Sequence, residues 1–304
     1  MNFLTQVQEV GSQLRLDVTQ STQKTLCQRW LNQTQKEIWE ADNWWFSQER
    51  AVVQTIVDKT AGTVSVNSGA ATVTGVSTSF TSVDVGAFIQ FSTSNDWYKI
   101  TAVASATSLT IETNYVASTN LSAGTYTLRQ MFYSMPSDCE RILDARQTIT
   151  PDYIEPVYFR DFDIFRANPS TTGNPTMMLV YGLNSSNVMK VTLYPFPSAI
   201  ENIEVRYKKN AVDLSADTDT SLIPTKWSDT VMVDGAIARG LTYLSTSDPK
   251  YLPVQQMVYS RYKLGLRDML NERDPDQAYH PIIDNRDKRR NTYGPILPFK
   301  YGYE

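Results

Sequence analysis

The sequence predicts an α+β protein: a discontinuous helical bundle with antiparallel β strands, a small inserted all-β sandwich or barrel module, and an extended C-terminal arm. Three observations lead there. Apolar residues recur at helical spacing over residues 19–46 and again over 225–273, but with period two in between. The stretch from Thr60 to Leu128 is almost without charge, Asp84, Asp96, Lys99 and Glu112 being its only charged residues. Beyond Arg273 the helical stripe stops, and the chain becomes rich in Pro, Tyr and charge. These shifts divide the chain into a core of residues 1–58 and 130–273, an insert of 59–129, and an arm of 274–304.

Each element has its own signal. In residues 19–46, Leu31, Thr34, Ile38, Ala41 and Trp45 form a three-and-four stripe that Leu26 and Trp30 widen, with Gln28, Gln33, Lys36 and Glu37 on the other face. Trp30, Trp39, Trp44 and Trp45 read as core residues. From Arg50 the runs AVVQTIV, GTVSV, ATVTG, GAFIQFS, WYKITAVAS, SLTIE and GTYTLRQ are short and separated by Gly, Ser, Asn or Asp, the pattern of a small antiparallel sheet structure. FYSMPSDCERILDARQ leads through a turn into a strand. MMLVYGL, VMKVTLYPFP and IEVRYKKNAVDL are three more strands, the first two forming a hairpin. Thr225 is placed to cap a helix that turns Trp227, Val231, Ile237, Leu241 and Leu244 inward. Pro249 and Pro253 start a second, with a stripe of Val254, Val258, Tyr262, Leu266 and Met269. Gly235, Gly240 and Gly265 lower helix propensity by about 1 kcal/mol each, so their expected use is close helix–helix contact.

Composition narrows function. A net charge of −4 and a pI near 5.2 argue against a protein that wraps nucleic acid, though not against one that lets DNA pass. Cys27 and Cys139 read as buried, reduced thiols, which suits synthesis in a reducing cytosol. No apolar run approaches the ~20 residues of a membrane span. The opening MNFLTQVQEVGSQLRLD lacks the basic start and apolar centre of a signal peptide. The single histidine, His280, sits in the arm, which disfavours triads, most zinc sites and most general-base schemes. No phosphate-cradling glycine loop is present. Asp213, Asp217 and Asp219 lack the spacing and glycine of a calcium loop and read as a solvated loop. Asp161 and Asp163 have no accompanying ligand set. No catalytic residue, cofactor or metal is expected.

The chemistry that stands out is interfacial. The run Arg286, Asp287, Lys288, Arg289, Arg290 lies in an arm whose five acids and five bases cancel. With Tyr293, Phe299, Tyr301 and Tyr303 interleaved, the arm suits a protein groove better than nucleic acid. On the insert, Trp97 and Tyr98 are candidates for external contact.

The run from VTLYPFP to GLTYL resembles the bacteriophage head-to-tail adaptor family, also called tail tubular protein A or head completion proteins in short-tailed phages. The matching features are Tyr194–Pro197, Arg206–Lys208, the acidic loop Asp213–Asp219, Ile223–Trp227 and Gly235–Ala236, with the Trp30 helix and Trp44-Trp45 earlier in the chain. The insert resembles β modules found in phage virion proteins. The resemblance implies a structural virion protein, made in the host cytoplasm and located at the head-to-tail interface. It implies a ring, usually dodecameric, docked under the portal protein, continuing the DNA channel and carrying the tail nozzle protein, with the arm reaching the portal or a neighbouring subunit. Tail fibres are a further partner the insert could hold, and DNA passes without specific binding. The alternative is a carbohydrate- or receptor-binding or fibre-anchoring virion protein acting through Trp97 and Tyr98.

Overall fold

The computed structural model describes residues 1–148, 152–157 and 171–272. The fold is α+β, and its described residues divide into two compact units, residues 1–48 with 211–272, and those between 49 and 210.

The first unit is helical. Helix α1 (Phe3–Leu14) begins where Asn2 Oδ1 accepts from the Thr5 amide at 2.9 Å, and ends where Arg15 turns left-handed at φ 56°. Phe3, Val7, Val10 and Leu14, spaced four, three and four apart, are all buried. The sequence reading above took this segment only as not being a leader. Its Asn cap and apolar spacing are the signals of the helix.

Helix α2 (Ser21–Ala41) buries Cys27, Trp30, Leu31, Thr34, Ile38 and Trp39. It stops short of the expected residue 46, and Ala41 and Trp45 do not join its stripe; Trp45 is 64% exposed in a 3-10 turn, Trp45–Ser47. Trp44 ends the helix. Its indole Nε1 donates to the Ile38 carbonyl at 2.6 Å, satisfying a C-terminal acceptor, and its ring stacks on Phe46.

After Pro224, a turn of α-helix (Thr225–Trp227) and a π-helical segment (Ser228–Met232) run into α3 (Val233–Ser245). Pro224, not Thr225, holds the N-cap position, and Trp227 and Leu244 are half-buried against the core. Helix α4 (Leu252–Asn271) follows a 3-10 turn that Asp248 caps through the Lys250 amide. Val258, Tyr262 and Met269 face inward as expected, whereas Val254 is 45% exposed. The four helices share one core, from Phe3 and Trp30 through Ile237 to Tyr262.

Glycine sets how closely they approach. A Cβ on Gly235 would lie 2.4 Å from Thr34 Cγ2 and 2.9 Å from the Tyr262 ring; on Gly240, 2.2 Å from Leu14 and 2.9 Å from Trp30; on Gly265, 2.7 Å from Val231. The expected use of these glycines is thus the observed one.

The second unit holds two seven-stranded sheets and a short parallel pair, β12 (Thr172–Gly173) with β15 (Phe196–Pro197). The insert supplies β2 (Thr63–Val66), β3 (Thr72–Val76), β4 (Phe88–Phe91), β5 (Trp97–Ser105), β6 (Ser108–Ile111), β7 (Leu121–Gly124) and β8 (Tyr126–Arg129), in the order β7-β2-β3-β6-β5-β4-β8. The terminal strands β7 and β8 are separated in sequence only by Thr125, which draws the two edges of the sheet together into a barrel-like form. Alternation delivers the core: Val64, Val73, Ile89, Phe91, Ile100, Leu109 and Ile111 are buried, with Tyr98, Tyr115 and Tyr126. Of these strands only β7 lacked a sequence signal, being short and polar.

The other sheet has the order β1-β16-β10-β11-β13-β14-β9, from β1 (Gln48–Gln54), β9 (Tyr133–Ser134), β10 (Cys139–Gln147), β11 (Tyr153–Val157), β13 (Met177–Leu183), β14 (Met189–Tyr194) and β16 (Asn202–Lys209). Strands β13 and β14 form the expected antiparallel hairpin, while β11 and β13 pair in parallel. One face buries Ile154, Met178, Val191, Leu193, Ile203 and Val205. The other carries cross-strand ion pairs, Arg146–Glu204 and Arg206–Asp144 among them.

Gly235→Ala should therefore destabilise the protein by about 1–3 kcal/mol through overpacking, despite the ~1 kcal/mol gain in helix propensity. Urea unfolding followed by circular dichroism checks the sign, and a raised midpoint would contradict the packing account.

Candidate functional site

The acidic loop is a structural clasp. Asp213 pairs with Lys36 at 2.7 Å and Asp217 with Lys24 at 2.8 Å, both lysines standing on α2. Asp219 accepts from the Ser215 and Ala216 amides at 2.8 Å each, and these donors hold its carboxyl below the ordinary value. The carbonyls of Asp217 and Asp219 accept from Leu4 and Phe3, two first-turn amides of α1 that have no partner within the helix. Asn32 both donates to and accepts from the Leu214 backbone at 2.9 Å. The loop's polar groups are thus spent on tying α1 and α2 together. Among the described residues, no group of three or more His, Cys, Asp or Glu is placed to hold a metal ion. Burial pushes the Cys27 thiol up to about 11 and that of Cys139 to about 12, so neither is poised as a nucleophile.

An open groove of about 500 Å³ lies between α2, α3 and α4. Trp30, Tyr243, Tyr259 and Tyr262 give it aromatic walls; Gln33, Arg239, Thr242 and Gln255 add polar groups. Glu37 is its electrostatic centre. It accepts from Arg239 Nη2 at 2.6 Å and from Lys263 Nζ at 2.9 Å, while Arg239 Nε donates to Thr34 Oγ1 at 3.2 Å. Burial pushes the Glu37 carboxyl up, but the Lys263 ammonium and the Arg239 guanidinium outweigh it and hold the carboxyl below its usual value. Tyr262, on the inner side, is pushed well up, first by burial and then by Glu37.

On α4, Val254, Met257 and Leu264 are 45%, 63% and 50% exposed. Met257 and Leu264, seven positions apart, share one side of the helix, set off from the inward row of Val258, Tyr262 and Met269, while Val254 stands one turn before Val258 at the exposed end of that row. Among the described residues, the side of α4 that carries Met257 and Leu264 is left exposed.

The two insert residues singled out from sequence separate. Tyr98 is 4% exposed, its ring packed against Phe91 and Tyr115 and its hydroxyl accepting from the Val116 amide at 3.3 Å, so it offers no external surface. It follows Trp97 on a strand whose alternation turns it inward. Trp97 is half-buried, with the Arg129 guanidinium 5.1 Å from its ring centroid. That guanidinium also lies 4.8 Å from the Phe196 ring and pairs with Asp58 through Nε at 2.9 Å and Nη2 at 2.5 Å. Trp97 thus belongs to a buried Arg129 cation–π cluster joining the insert to the segment at Phe196. The arm residues Arg286, Lys288, Arg289, Arg290, Tyr293, Phe299, Tyr301 and Tyr303, together with His280, Asp161 and Asp163, lie outside the described residues. The groove and the exposed α4 pair are the features that sequence reading missed. Tyr243, Met257, Tyr259 and Leu264 fall off the inward stripe and gave the available signal.

Clasped helices, a face left uncovered and an aromatic groove are features of a component built to be assembled with other proteins. The chain belongs to the SU10 adaptor protein family, whose model matches residues 100–284. This is a family of bacteriophage structural adaptors, and the match bears out the phage-adaptor resemblance at that level. No curated protein matches the chain. Among the described residues, no helix is long and apolar enough to cross a membrane.

Glu37 makes the helical unit acid-sensitive. Its carboxyl titrates lower in the folded than in the unfolded chain, so its pairs add stability above the ordinary carboxylate range and lose it as pH falls through the lowered value. Glu37→Gln should cost roughly 0.5–1 kcal/mol at neutral pH, a small figure because solvent screens these partly exposed pairs. In acid, the variant and the parent should converge. Urea midpoints at both pH values test this; a constant difference would contradict it.

Proposed function

We propose that this protein is the head-to-tail adaptor of a short-tailed phage of the tail tubular protein A type. It is a subunit of a ring, dodecameric by resemblance, that docks under the portal, continues the DNA channel and carries the tail nozzle. The observation that carries this reading is the adaptor-family match over residues 100–284, which takes in strands of the second unit and both α3 and α4 of the first. The exposed pair Met257 and Leu264 on one side of α4 supports a ring, because exposed apolar side chains gain by packing against a neighbouring copy. In this reading the core of residues 1–58 and 130–273 forms the ring wall as a discontinuous helical bundle with its strands, and the insert of 59–129 projects from it. The net charge of −4 suits a lumen past which DNA slides.

The arm, residues 274–304, supplies contacts to the portal or to a neighbouring subunit, with Arg286, Lys288, Arg289 and Arg290 for charged groups and Tyr293, Phe299, Tyr301 and Tyr303 as apolar anchors. A chain ending at Arg273 should keep the helical circular dichroism of the full protein yet fail to add a ring to purified portal in negative-stain images. Normal assembly of the truncated chain on portals would overturn the arm's role.

A further inference from the structure

We propose that the aromatic groove between α2, α3 and α4 is the receptor for residues 294–300 of this protein's own C-terminal arm, Gly-Pro-Ile-Leu-Pro-Phe-Lys. The inference deepens the arm's role given above and rests on the arm being a contact segment, but it does not require the portal.

The argument begins with the segment. Pro295 and Pro298 form a Pro-x-x-Pro pair. Each proline fixes its own φ near −65° and biases the residue before it towards extended backbone. Such a sequence favours polyproline II, a conformation that has no internal hydrogen bonds, leaves carbonyls free to accept and brings residues three apart onto one edge. What recognises it is a groove of aromatic faces interrupted by hydrogen-bond donors.

The groove on the helical unit has that construction. Tyr243 and Tyr259, 54% and 46% exposed, present rings to solvent from α3 and α4. Behind Tyr243 stands Trp30, its ring centroid 5.9 Å away, so one wall is two aromatics deep. The side-chain amides of Gln33 and Gln255 and the guanidinium of Arg239 line the same space and can donate to peptide carbonyls. The Glu37–Arg239–Lys263 network holds the polar side of the groove in place, so its shape is preformed and little ordering is left to the moment of binding.

Reach is sufficient. Glu272 and Pro295 are 23 positions apart, a span of roughly 75 Å when extended, which allows the segment to reach the groove of its own copy or of an adjacent one. Composition fits as well: with acids and bases cancelling, the arm brings proline and aromatic surface rather than net charge, and the groove offers aromatic surface rather than a charged patch.

The test is a titration. A synthetic peptide of residues 291–304 is added to the full-length chain carrying Pro295→Ala and Pro298→Ala, whose own arm no longer competes. Saturable binding is expected, and weaker apparent binding to the unmodified chain, where the native arm occupies the groove. Adding Tyr243→Ala and Tyr259→Ala to the recipient should weaken binding roughly tenfold or more, because both are exposed anchors rather than core residues. Thr242→Trp, which fills the groove instead of emptying it, should do the same while circular dichroism stays unchanged. The proposal is overturned if the peptide does not bind, if a peptide with both prolines replaced by alanine binds as tightly, or if the tyrosine and filling variants bind normally. Loss of portal docking with this binding intact would count against the adaptor reading and leave the groove assignment standing.

Discussion

The helical unit depends on the seam where two glycines let the α3 backbone rest directly on side chains of α1, α2 and α4. At Gly235 and Gly240 the α3 backbone meets Thr34, Leu14, Trp30 and Tyr262 so closely that even a methyl group does not fit. Interiors pack at crystal-like density, so this approach fixes the position of α3 and, through Gly265 and Val231, that of α4. The seam also joins the two ends of the chain. Helices α1 and α2 come before the β-rich unit and α3 and α4 after it, yet all four share one core. The loop from 211 to 223 completes the union: its backbone carbonyls accept from the first amides of α1, and its carboxylates pair with the lysines of α2.

Much of this was legible in the sequence, for identifiable reasons. The inward rows of α2 and α4, the glycines of the seam and six strands of the insert announce themselves through period and punctuation. Where the reading failed, a local interaction overrode the period. Trp45 continues the α2 stripe on paper, but the Trp44 indole caps the Ile38 carbonyl and ends the helix first. Helix α1 was passed over because its apolar residues are few, although Asn2 and the row from Phe3 to Leu14 are sufficient signals in retrospect. Trp97 and Tyr98 read alike as candidates for external contact, but adjacent residues on a strand face opposite sides, and Tyr98 is the one turned into the core. The groove as an assembled site was not legible, although Tyr243 and Tyr259 fall off the inward stripes. It is assembled from three helices distant in sequence, and no local pattern records that Trp30, Tyr243 and Tyr259 converge.

The same physics gives the protein its character as an assembly component. The polar residues that might suggest chemistry are engaged with one another: the loop carboxylates with lysines and amides, Glu37 with Arg239 and Lys263, Asp58 with Arg129. Among the described residues, apolar and aromatic surface stands exposed on α4 at Met257, Tyr259 and Leu264 and on α3 at Tyr243. A phage adaptor has to hold its neighbours through repeated, non-covalent contacts, and surfaces of this kind provide them.

Electron cryo-microscopy of this protein bound to its portal, at side-chain resolution, tests the adaptor account most directly. The account predicts a closed ring of copies in which Met257 and Leu264 of α4 are buried against an adjacent copy. Isolated copies on the portal, or a ring in which those side chains face solvent, would contradict it.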